Sequence, residues 1–137
     1  MPGREIASKS EVEIAFDTET VTFNGVTNGI ILDLQRSNAI LFVIHAGTIT
    51  DGSFGFTFEE DDGVGFSSPV AIPDSDLRGN LSSDLIFVNT DGDTVRKVSL
   101  VNNKRFVRMI VTTSGASTGG IFSATAIKQD LSLTPIT

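Results

Sequence analysis

Apolar residues recur at every second position in several short stretches of the chain, which is the period of a half-buried β-strand. Ser53–Glu60 is the clearest case, with Phe54, Phe56 and Phe58 at spacing two, so three rings stand on one face. Glu11–Phe16 alternates as well, and predicts Val12, Ile14 and Phe16 on the covered face with Glu11 and Glu13 outside. Its Glu, Ala and Lys content also suits a short helix; strand is the preferred reading. Ala39–His45 is an almost continuous apolar run, as expected of a central strand covered on both faces. Further strands are expected at Val21–Phe23, Gly29–Leu34, Val70–Ile72, Asp84–Asn89, Thr94–Leu100, Arg105–Thr112 and Gly120–Lys128.

Between these runs lie Asn24-Gly25, Asn28-Gly29, Asp51-Gly52, Asp62-Gly63, Asp91-Gly92 and Gly119-Gly120, pairs that supply positive φ at tight turns. Thr90–Asp93 and Thr113–Gly119 are expected to close hairpins between the runs that flank them. The only plausible helical turn is Pro73–Leu77, with Ser75 and Asp76 as caps. Eight or nine strands with turn signals between them predict an all-β, antiparallel β-sandwich of jelly-roll type. Residues 1–10 form a polar N-terminal arm, residues 11–128 the sandwich, and residues 129–137 a C-terminal tail.

The length of 137 residues suits one domain, which buries roughly 68% of its unfolded surface. With 17 acids against 10 bases the net charge is −7, which argues against nucleic acid as a partner. The absence of cysteine excludes disulfides, zinc–thiolate sites and cysteine catalysis. No stretch approaches the roughly 20 apolar residues of a membrane helix, and the N-terminal segment lacks the apolar centre of a signal peptide. Charge is unevenly spread. Residues 51–93 hold ten acids and one base, Arg78, whereas residues 94–128 hold Arg96, Lys97, Lys104, Arg105, Arg108 and Lys128 and no acid. Either the two sets neutralise each other within the monomer, or faces of opposite sign guide assembly.

Candidate chemistry is sparse. Glu59-Glu60-Asp61-Asp62-Gly63 offers four carboxylates to calcium, but without EF-hand spacing it equally suits a solvated turn. His45 is the single histidine, with no nucleophile-elbow serine and no metal-ligand cluster around it in sequence, and is read as a structural strand-end residue. Acids sufficient for a hydrolase are present, yet there is no Trp or Tyr to form a sugar platform. Ser114–Gly120 is a flexible turn rather than a phosphate loop, since it precedes a strand and lacks Lys-Ser or Lys-Thr. Asn80-Leu81-Ser82 matches the glycosylation sequon by chance. The expectation is therefore no catalytic residue, no metal and no cofactor. Of the ten Phe residues, Phe42, Phe56, Phe87, Phe106 and Phe122 are expected in the core, with Phe16, Phe23 and Phe66 as candidates for an exposed contact surface.

Two segments carry a resemblance. Leu32–Phe66 contains Asp33-Leu34-Gln35 before an apolar strand, the Gly47–Gly52 turn and the acidic Glu59–Gly63 stretch. Val95–Ile127 contains the Lys104–Arg108 strand and the Gly119-Gly120 turn. In this order they resemble small head decoration (cement) or minor capsid proteins of tailed bacteriophages, which more often carry Tyr at the position of Phe106. The resemblance implies a non-enzymatic structural protein on the capsid exterior of the virion, made in the host bacterial cytoplasm. Its partners would be the major capsid protein and sister subunits in a trimer or dimer, with no nucleic acid and no membrane. The arm or the tail would lie along the shell or add a strand to a neighbour. Arg96, Lys97, Lys104, Arg105 and Arg108 are the expected capsid or subunit contacts. A second role in the same particle is a head-fibre base or a tail-associated module that binds host glycans; a third, of another class, is a hydrolase using acidic residues.

Overall fold

The computed structural model describes residues 10–35, 39–101 and 103–129. Almost the whole of the expected arm and tail therefore lies outside the described residues. Eleven strands form two antiparallel sheets: β1 (Ser10–Val21), β2 (Gly25–Asn28), β3 (Leu32–Asp33), β4 (Ala39–Ile49), β5 (Ser53–Asp61), β6 (Val70–Ala71), β7 (Leu77–Arg78), β8 (Ile86–Phe87), β9 (Val95–Leu100), β10 (Phe106–Ser114) and β11 (Gly120–Gln129). The first sheet has the order β1-β11-β4-β9-β7. The second has the order β2-β10-β5-β6, with β3 also on β10 and β8 also on β5.

The pairing is that of a long hairpin rolled up on itself. Strand β1 pairs with β11, β2 and β3 with β10, β4 with β9, and β5 with β8. The two arms of the roll then meet where β11 joins β4 and β10 joins β5. This is the jelly-roll sandwich expected from the strand pattern.

The rings hold the two sheets together. Phe54, Phe56 and Phe58 of β5 are all buried, as their spacing predicts, and so are Phe42, Phe87, Phe106 and Phe122. Phe56 lies 5.4 Å from Phe87 and from Phe122, and 6.5 Å from Phe16, all edge-on. Such T-shaped contacts add to the stabilisation from burial.

Several expectations are corrected. Val12 and Ile14 face outward, because a bulge between Ile14 and Phe16 lets Ala15 and Phe16 both turn inward. Strand β1 also runs on to Val21, leaving Phe23 outside any strand. Neither long-loop hairpin forms. Strand β8 lies in the second sheet and β9 in the first, joined through a 3-10 turn at Asn89–Asp91; β10 and β11 likewise lie in opposite sheets. Turn residues mark where a chain reverses, and in a sandwich the reversal can step between layers about 10 Å apart. The expected helical turn is a 3-10 turn at Asp74–Asp76, with no side-chain cap. Phe16 and Phe66 are buried, and only Phe23 of the three candidates is exposed.

The loop 114–120 is pinned rather than flexible. Asn24 holds Ala116 through both its backbone N–H and C=O, at 2.9 and 3.0 Å. The Asp51 carboxylate accepts the N–H groups of Ser117, Thr118 and Gly119. Gly119 adopts φ +84°, and a Cβ there would stand 2.0 Å from the Val21 carbonyl oxygen. Gly119→Ala is expected to destabilise the fold by at least about 2 kcal/mol, from left-handed strain together with the clash. Urea denaturation checks this; an unchanged midpoint would contradict the packing described.

Candidate functional site

The two sheets differ in what lies over their outer faces. On the second sheet, Arg108 of β10 pairs with Glu59 of β5 at 3.0 Å, and the ring of Phe66 stacks on its guanidinium at 4.5 Å. Asp61 accepts the N–H groups of Gly63 and Ser68 and so shapes the loop that carries Phe66. Phe66, Phe106 and Ile110 are buried there. This chain therefore covers part of that face with its own loop.

Among the described residues, nothing covers the outer face of the first sheet. Strand register places its side chains in rows: Val12, Ile127, Leu41 and Ser99; then Ile14, Thr125, Val43 and Lys97; then Ser123, His45 and Val95. Ile121 continues the face opposite Thr20. Val12, Ile14 and Val95 are 67%, 57% and 60% exposed. Four strands about 4.8 Å apart make this a patch about 15 Å across. These rows contain one lysine, one histidine and no acid on a chain of net charge −7; Arg78 of β7, opposite Ser99, and the bulge residues Asp17 and Thr18 of β1, opposite Ser123, border them. A water-facing sheet face normally alternates to polar residues and carries charges that block edge or face association. Contiguous apolar surface on a soluble domain marks a contact site.

The sequence signal for this face was the unbroken apolar run of β4, which suggests cover on both sides. The second sheet covers Ile40, Phe42 and Ile44; within the described residues, Leu41 and Val43 are only half-buried and His45 is exposed. His45 also lies within β4 rather than at its end, since the strand continues to Ile49.

At one end of this face Ala39, Ile40, Leu41, Ser99, Ile127 and Gln129 line a hollow of about 230 Å³. Beneath that end, inward-facing Lys128 donates to the Asp33 carbonyl at 3.0 Å and pairs with Glu11 and Glu13. Burial pushes the Lys128 ammonium down, but the two carboxylates outweigh it and its pKa is raised.

The five expected basic contacts do not form one patch. Arg96 points back into the fold, stacked on Phe87 at 4.2 Å and paired with Asp91 at 2.9 Å. It also donates to the carbonyls of Asp84 and Ile86, which ties β9 to the other sheet. Arg105 forms a two-pronged bond with Asp33, 2.8 Å on each arm, and Lys104 pairs with Asp62 at 3.3 Å. Arg108 is held by Glu59 and Phe66. Only Lys97 projects from the apolar face, and it has no ion pair among the described residues. Charge neutralisation within the monomer thus accounts for four of the five.

The acidic stretch is likewise engaged in the fold. Glu59 and Asp61 act as described, buried Glu60 accepts the N–H groups of Asn103 and Lys104, and Asp62 meets Lys104. Among the described residues no three His, Cys, Asp or Glu side chains are placed to hold a metal, and no helix is long and apolar enough to cross a membrane.

These carboxylates predict acid sensitivity. The Arg105 hydrogen bonds hold the Asp33 carboxyl down to about 2, with the Gln35 N–H and nearby positive charge assisting. Backbone N–H groups lower Asp51 (Gly119, Ser117, Thr118) and Asp61 (Gly63, Ser68). A carboxyl lowered by folding contributes stability that is full above its unfolded value near 3.8 and is lost as pH falls through the folded value. Urea midpoints are therefore expected to hold down to about pH 4 and fall toward about pH 2. Asp33→Ala should be less stable at neutral pH and show a shallower acid decline.

No family model matches the chain, and no curated protein matches it. Among solved structures it is similar to the SPBc2 prophage-derived protein YomS at 12% identity, over 87% of this chain and 91% of that one, with a TM-score of 0.40.

Proposed function

We propose that this chain is a non-enzymatic structural protein that decorates the outside of a tailed-phage head, seated on the major capsid protein through the outer face of the β1-β11-β4-β9 sheet. The observation that carries this reading is the bare apolar face itself, on a sandwich whose other outer face is partly covered by its own loop. The sequence resemblance supplies the partner. The acidic remainder of the surface would face solvent. Cementing follows from linkage: a protein that binds the assembled shell but not its dissociated subunits stabilises the shell by mass action.

The test is to add the purified chain to heads prepared without it. Expected are hundreds of bound copies per head, on the order of the lattice positions, and greater survival of heat and osmotic shock. Binding of only a few copies, or recruitment to the tail alone, would contradict the decoration role and favour the fibre-base or glycan-binding module.

A further inference from the structure

The hollow at the end of the apolar face has a specific candidate occupant. Its lining is aliphatic apart from Ser99 and Gln129. At about 230 Å³ it is smaller than the ~300 Å³ at which small-molecule sites begin, and suits aliphatic side chains. Gln129, the last residue of β11, lies on its rim, and the sequence that follows is Asp-Leu-Ser-Leu-Thr-Pro-Ile-Thr. Leu131 and Leu133 stand at spacing two, the period at which an extended segment presents side chains to one surface. Eight residues reach at most ~29 Å fully extended. Return to the hollow of the same chain would require a reversal at Asp130-Leu131, where neither Gly nor Asn is present for a tight turn.

We propose that the hollow receives residues 130–137 of a second copy of this chain, with Leu131 and Leu133 seated against Leu41 and Ile127. The segment links neighbouring copies by peptide-in-groove contact. Its one acid, Asp130, enters a face on which Lys97 and His45 stand and at whose border Arg78 of β7 lies opposite Ser99, a lining residue of the hollow. This link stands apart from the capsid partner and is tested in solution with the full chain.

The chain has no cysteine, so Thr137→Cys carries a single spin label. Spin-labelled chain of natural isotope content is mixed with unlabelled chain enriched in nitrogen-15. Expected is loss of the Leu41, Ser99 and Ile127 amide signals, increasing with concentration, while that of Phe23 persists. Leu131→Asp combined with Leu133→Asp in the spin-labelled chain should restore the signals, and neither residue belongs to the described sandwich. Undisturbed signals at the hollow would overturn the proposal. So would broadening seen only when the spin label and nitrogen-15 reside in the same molecule, which would show the segment on its own chain.

Discussion

Phe56→Ala is expected to lower the stability of the fold by about 3–5 kcal/mol, the usual cost of emptying a well-packed ring site. Phe56 is fully enclosed and sits among Phe16, Phe87 and Phe122, which come from three other strands and both sheets. The cavity cannot collapse easily, since each neighbour is held by its own strand pairing. For a domain of this size the loss corresponds to a fall in Tm on the order of 10–20 °C. Thermal and urea denaturation read the effect directly. A change below about 1 kcal/mol would mean that the rings do not join the sheets as described.

Val43→Glu is expected to act on assembly and spare the fold. Val43 lies in the middle row of the apolar face, between Thr125 and Lys97. The new carboxylate would project outward beside Lys97, so stability should stay within about 1 kcal/mol of the parent. Docked against a shell it would be stripped of water, with only Lys97 beside it to offset the cost. Binding to heads should weaken by about 2–4 kcal/mol, or roughly 30–1000-fold. Val43→Thr, which keeps the branched shape without the charge, should bind within a few fold. Equal binding by all three proteins would place the contact elsewhere.

Much of the architecture was legible from period-two patterning. The Phe54, Phe56 and Phe58 face, the apolar β4 and the many short Val-, Ile-, Thr- and Phe-rich runs all point to a sandwich, because alternation reports which side of a strand is covered. Partner choice was not legible. Thr90–Asp93 and Thr113–Gly119 look like hairpin loops, yet each carries the chain from one sheet to the other, since turn residues encode a reversal and not its destination. The bulge at Ala15 was also invisible, and one inserted residue was enough to move Val12 and Ile14 from the core face to the outside. That slip concealed half of the candidate site. The other half was visible but ambiguous: an apolar run covered on both faces does not reveal whether the second cover comes from the same chain. The basic residues stood out by contrast with the acidic segment before them. Four of them proved to be ion-paired, because strands distant in sequence lie side by side in the roll.

The most direct test compares two single cysteines in this otherwise cysteine-free chain. Ile14 on the apolar face and Val64 in the loop between β5 and β6 are 57% and 72% exposed in the isolated protein, so Ile14→Cys and Val64→Cys should both react with a thiol reagent in solution. On decorated heads the thiol at position 14 is expected to be protected while that at position 64 still reacts. Full reactivity at position 14 on saturated heads would contradict it.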